Sequence, residues 1–169
     1  MPRKPYSSID HAEVEASAGL SQYHFRLGWL LLAVFGSLGL MLEALHGWKL
    51  QSYVGVTNSM RREMWTLSHA HGTLLSLVHI AYASTLCNLA SQRGGLPILV
   101  SRLLSAASVL MPLGFFLGGL FIYEGDPGLG ILLVPVGATA LITSGLLIAR
   151  HFEAVKRLKR EPRDDEQQP

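Results

Sequence analysis

The sequence predicts an all-α integral membrane protein, a four-helix bundle with both termini in the cytoplasm. Three observations predict it. Hydrophobic residues make up 49% of the 169 positions and charged residues only 15%, and the charges gather at the two ends and in the connecting stretches. Four apolar segments, residues 25–46, 65–88, 96–123 and 128–151, each have the length needed to cross ~30 Å of hydrocarbon. Lys and Arg are also unevenly placed: of 14 in total, all but Lys49, Arg61 and Arg62 fall on the side shared by both termini. By the positive-inside rule that side is cytoplasmic.

The chain divides into a polar N-terminal segment (residues 1–23), the helical bundle (24–151) and a charged C-terminal tail (152–169). The first apolar run is longer than a signal-peptide core and no A-x-A-like site follows it, so it reads as a retained helix. The longest link, from Lys49 to Glu63, faces outward. It holds Thr57-Asn58-Ser59, N-cap residue types, just before Met60, so the second helix is expected to begin outside the membrane. The second link, "SQRGGLP", has the Gly-Gly and Pro of a stop and restart, and the third, "EGDPG", is a tight outer turn. Helices three and four contain Pro112 and Pro135, expected as kinks that a bundle tolerates, and Gly114-x-x-x-Gly118 allows close backbone approach. The basic residues from Lys156 to Arg160 would be drawn to anionic headgroups, although an ordinary topology signal explains them as well. The lone Cys87 cannot form an internal disulfide.

No G-x-S-x-G, H-E-x-x-H or Walker loop is present, which argues against a stand-alone hydrolase or nucleotide-driven enzyme. No feature points to nucleic acid. The expected partners are the lipid bilayer and other membrane subunits or further copies of the chain, in a bacterial-type inner membrane.

Candidate chemistry sits in "LSHAHGTLLSLVHIAYA", which sets His69, His71 and His79 in an apolar run. An ionisable residue inside a membrane is costly and marks a functional site by default. Glu43 and His46 close the first helix while His69 and His71 open the second, so all four fall at the outer side; His79 lies roughly 15 Å deeper. Trp29, Gly36, Gly39, Glu43 and His46 form one stripe of helix one. Trp65, His69, Gly72, Ser76, His79 and Ala83 form a similar stripe of helix two. Packing these stripes together would bring Glu43 and His46 towards His69. Two residues along a helix is about 200° of rotation, so His69 and His71 cannot both point at one centre, and the sequence leaves open which faces inward.

Glu43-x-x-His46 is the i, i+3 carboxylate and imidazole pair used in bundle metal sites. With His69 and His71 it forms a mixed N,O set suited to copper, zinc or iron, with Tyr53, Tyr123 or Glu124 as groups that could orient the ligands. Other readings stand beside it. His46 reads equally as an interfacial helix-end residue, Glu43 and His69 as a hydrogen-bonded couple without metal, and His79 as a hydrogen bonder to a Ser or Thr of another helix or an additional ligand. His11, His24 and His151 lie outside the apolar runs and receive no role.

Ser68–Leu75, "SHAHGTLL", resembles the second helix of subunit I of the haem–copper oxidases, in which an Ala-His-Gly stretch supplies an axial ligand of the low-spin haem. Ala70-His71-Gly72 occupies that pattern, and "LMLEALHGW", Leu40–Trp48, resembles the close of the family's first helix. The chain is also similar to small membrane proteins with a His-x-His helix related to that subunit. The resemblance covers about two helices, and the later helices that carry the family's second haem ligand and its oxygen-reducing centre are missing here. It therefore implies a single centre without oxygen reduction: haem b with His71 as ligand, His46 or His69 on the other side, and Arg61 and Arg62 near the propionates, where lipid phosphate or solvent contact is the alternative.

Taken together, these residues predict an inner-membrane protein with a haem or metal centre in the outer leaflet, engaged in electron transfer or in metal or haem handling beside a respiratory chain. A cofactor-free accessory subunit is the competing reading, and a proton-coupled transporter a third.

Overall fold

The computed structural model describes residues 6–90 and 98–160, all-helical apart from short connections. The link at 91–97 with Arg93, the chain ends, and the side chain of His11 lie outside the described residues. Four long helices account for the architecture: α1 (Tyr6–Gly47), α3 (Ser59–Ala90), α4 (Ile98–Leu120) and α5 (Leu133–Arg160), with a one-turn α2 (Gln51–Val54) in the first link. α1 starts well before the apolar run, because "AEVEASAG" is rich in the helix formers Ala and Glu. α5 likewise runs on through Lys156 and Arg157, cations that favour a helix C-terminus.

Each long helix packs on its chain neighbour: α1 on α3, α3 on α4, α4 on α5. The bundle is thus a sequential row in which α3 and α4 are central and α1 and α5 flank them. Burial follows: half of the apolar window of α4 is buried, against about a tenth (11%) of those in α1 and α5. Among the described residues, three stretches are long and apolar enough to cross a membrane, Ser17–Gly47, Ile98–Leu120 and Leu129–Ala154. α3 is long enough at 32 residues but too polar to join them. Three of its polar side chains, Ser68, Ser76 and His79, are buried inside, while Leu74 and Leu77 point outward. The flanking helices expose Leu30, Val34, Leu40, Ile142 and Leu146. That apolar-outside arrangement suits lipid contact.

The connections at one end are well defined, and we call this the loop end. After Lys49, which has a positive φ of 50°, α2 and a 3₁₀ turn (Val56–Asn58) lead into α3. Arg62 clamps this loop by donating to the carbonyls of Tyr53 (3.0 Å) and Gly55 (2.9 Å). The turn between α4 and α5 is a small hairpin, β1 (Ile122–Tyr123) against β2 (Asp126–Pro127). Its two turn residues, Glu124 and Gly125, have φ of 51° and 96°, the left-handed pair that a two-residue hairpin turn requires. Pro112 lies inside α4 as expected. Pro135, expected as a mid-span kink, is the third residue of α5, where its missing N–H has no helical partner to lose.

Away from the loop end, Tyr82, Leu86, Val100 and Leu104 form the apolar core, covered by Leu20 from α1 and by Leu141, Leu147 and Ile148 from α5.

Candidate functional site

Two polar sites lie inside the row of helices, one at the loop end and one in the opposite half. The loop-end site is a cavity of about 370 Å³ between α1, α2 and α3, and Glu43, His46, Tyr53 and His69 line it together. The stripes read from the sequence do meet here. His69 is held firmly: its Nδ1–H donates to the Phe35 carbonyl of α1 at 2.7 Å, which leaves Nε2 with a free lone pair. Its ring fits because residue 39 is glycine; a Cβ there would lie 2.8 Å from both ring nitrogens. Glu43 and His46 are exposed in the same cavity.

His71 does not share it. Its Nδ1–H donates to the Leu67 carbonyl of its own helix at 2.9 Å, and its ring packs 4.8 Å from Phe115 of α4. The rotation between His69 and His71 thus sends one to α1 and the other to α4. Arg61 donates through Nε to the Gly119 carbonyl (3.2 Å) and through Nη1 to Asn58 Oδ1 (3.0 Å), and its guanidinium lies over Trp65. Tyr123 and Glu124 are exposed on the hairpin. Among the described residues, no three His, Cys, Asp or Glu side chains are grouped to hold a metal ion.

The second site centres on a fully buried imidazole pair, His24 of α1 and His79 of α3. Their Nδ1 atoms are 2.7 Å apart and their rings lie nearly parallel, 19° between planes. His24 Nε2 reaches Ser101 Oγ at 2.7 Å and His79 Nε2 reaches Ser108 Oγ at 3.0 Å, both on α4. The pair therefore ties three helices together. Tyr82 closes one side, its ring edge-on to His24 at 4.7 Å. Close approach of α1 to α3 depends on Gly28, where a Cβ would stand 2.9 Å from the Ser76 carbonyl. One helical turn away, Ser21 donates to the Ala83 carbonyl at 3.0 Å.

Counting hydrogens gives this chain a direction. Ser108 spends its single hydroxyl hydrogen on the Ser105 carbonyl (2.9 Å), so it accepts from His79 Nε2–H. His79 Nδ1 is then the acceptor and His24 Nδ1–H the donor. His24 Nε2 is left to accept the Ser101 hydroxyl. All four side chains are satisfied by one consistent set of tautomers.

His79 thus bonds to a serine of another helix, one of the readings its sequence position allows. His24, given no role above, proves to be half of the most buried polar group. The signal for it was present: Ser17, Ser21, His24 and Gly28 repeat at helical spacing and are the buried face of α1, whereas Trp29 of the expected stripe is exposed. Compared with protein-family models, curated proteins and solved structures, the chain matches none.

Proposed function

We propose that this chain is a four-span protein of a bacterial-type inner membrane, both termini cytoplasmic, that holds a haem b at the loop end and passes electrons there beside a respiratory chain. His69 carries the reading. A ligating histidine nearly always donates its other ring N–H to a carbonyl or carboxylate, which fixes the tautomer and turns a bare nitrogen towards the metal; His69 does this with the Phe35 carbonyl at the wall of a cavity.

The donor set favours haem over a bare metal ion. A bare copper, zinc or iron ion needs three or four donors converging on one point, and no such group forms among the described residues. Haem brings its own in-plane nitrogens and asks for one or two axial ligands. His69, with His46 sharing the cavity, fits that smaller demand, and Glu43 lines the same cavity. When bound, the haem would supply one-electron exchange, which none of these side chains offers alone. Arg61 and Arg62 already serve main-chain carbonyls, so the reading does not rest on them. The fourth span would be α3, which packs along both α1 and α4.

A cofactor-free accessory subunit is favoured by one observation, the complete in-chain satisfaction of His24 and His79. Optical spectra of the protein purified in mild detergent from haem- and metal-supplemented cells, oxidised and dithionite-reduced, separate the two. The expected result is a b-type difference spectrum that His69→Ala abolishes. Loss in His71→Ala alone would move the ligand to the α4 face, as the resemblance to the oxidase helix implies. Neither a haem band nor stoichiometric metal would refute the proposal in favour of the accessory subunit.

A further inference from the structure

We infer that Ser101, His24, His79 and Ser108 form a proton wire through the half of the protein opposite the loop end. This inference rests on the buried pair and not on the proposed cofactor. Four groups with exchangeable protons follow one another at 2.7, 2.7 and 3.0 Å, all buried and all oriented in one sense. Ser101 and Ser108 are seven residues apart on α4, so the wire covers about 10 Å along the helix. Imidazole suits the role because it takes a proton on one nitrogen while releasing another from the opposite one.

The proton balance is simple. A proton arriving at Ser101 Oγ releases the hydroxyl proton to His24 Nε2. His24 passes its Nδ1 proton to His79 Nδ1, His79 passes its Nε2 proton to Ser108 Oγ, and Ser108, its hydroxyl hydrogen turned off the Ser105 carbonyl, releases that hydrogen to water entering the groove it lines. One proton has entered and one has left, every group is again neutral, and every bond points the other way. The hydroxyls return by turning; each imidazole must also exchange its ring proton with water before the next transfer, because turning the ring carries the N–H along and leaves the tautomer unchanged.

The wire has somewhere to lead. Ser108 lines an apolar groove of about 400 Å³ between α1 and α4, together with Leu31, Phe35, Pro112, Phe116 and one further hydroxyl, that of Ser68. Val34, Val109 and Leu113 on its rim are exposed, and the groove is apolar enough to act as a gap that conducts only when wetted, the way hydrophobic constrictions gate pores. A purely structural clip would need the hydrogen bonds but would pass no protons.

Proton flux into proteoliposomes holding a pH dye, driven by a potassium gradient with valinomycin, tests this. The wild type should acidify several-fold faster than protein-free vesicles. His24→Gln and His79→Gln, which keep a donor and an acceptor but cannot relay, should fall to the vesicle background while remaining monodisperse and helical. A wild-type rate equal to protein-free vesicles, or an undiminished rate in monodisperse His24→Gln, would overturn the inference. If the glutamine variants do not fold, Ser101→Ala decides in their place: it removes one hydroxyl at the head of the wire, and an undiminished rate there overturns the inference equally.

Discussion

Replacing His24 and His79 separately and together by leucine should give strongly non-additive losses of stability. His24→Leu strands the Nδ1 acceptor of His79, whose partner there among the described residues is His24 at 2.7 Å. A stranded buried polar group costs ~1–3 kcal/mol. Ser101 adds little, because a helical serine can turn its hydroxyl to a carbonyl of the preceding turn. The change in shape adds less than about 1.5 kcal/mol. His79→Leu strands the Nδ1–H of His24 in the same way, while Ser108 keeps its bond to the Ser105 carbonyl. Each single variant should therefore lose about 2–3 kcal/mol by these terms. The double variant strands neither ring and suffers only the packing change, so it should be no less stable than either single. The expected coupling is about 2–3 kcal/mol, the two stranding costs that the double variant escapes, and it exceeds the ~0.6 kcal/mol average of interhelical hydrogen bonds in membranes because both partners are buried. Reversible SDS unfolding in mixed micelles, followed by tryptophan fluorescence, measures all four forms. Additivity to within about 0.5 kcal/mol would show that the two imidazoles do not share the bond on which the argument depends.

Other outcomes follow from the same geometry. Gly39→Ala should push the His69 ring off the Phe35 carbonyl, lowering stability by about 1–3 kcal/mol in the same assay and removing any haem signal; an unchanged spectrum in a haem-bound protein would take His69 out of the ligand set. Arg62→Ala frees the carbonyls of Tyr53 and Gly55, so amide exchange over residues 51–58 should speed up while α4 and α5 stay protected; equal exchange in the two forms counts against the clamp. On the proposed topology, with both termini cytoplasmic, Lys49→Cys in a Cys87→Ser background should react with a membrane-impermeant maleimide in intact cells stripped of their outer envelope, and labelling only after lysis would reverse that topology.

Much of the helical plan was legible because bilayer thickness and hairpin chemistry leave few alternatives. Glu124-Gly125 announces its turn, and the 200° between His69 and His71 already required two different neighbours, which prove to be α1 and α4. Helix ends were less legible. Hydropathy locates where a run becomes apolar, whereas a helix stops where its backbone loses partners, and α1 starts well before Phe25. Setting the span at residue 25 excluded His24 by one position and hid the Ser17–Ser21–His24–Gly28 face. The facing stripe of α3 was easier to find, since Gly72, Ser76, His79 and Ala83 stand out against leucines.

The placement of polar groups unites the two sites. In a water-soluble bundle α3 would turn such polar groups outward; here Ser68, Ser76 and His79 are buried while Leu74 and Leu77 face away. Helices in lipid gain nothing by hiding leucine, so what draws them together is close packing at small residues and the pairing of polar groups that lipid cannot satisfy. Gly28 and Gly39 bring α1 against α3, and at each of these approaches a histidine of α3 crosses to α1, His79 to the His24 ring and His69 to a carbonyl. The same contacts that hold α3 in place thus create the two features on which chemistry could act, a histidine with a free nitrogen at a cavity wall and a directed chain of exchangeable protons. A helix too polar to be counted as a span from its own composition is, for that reason, the one around which the others assemble.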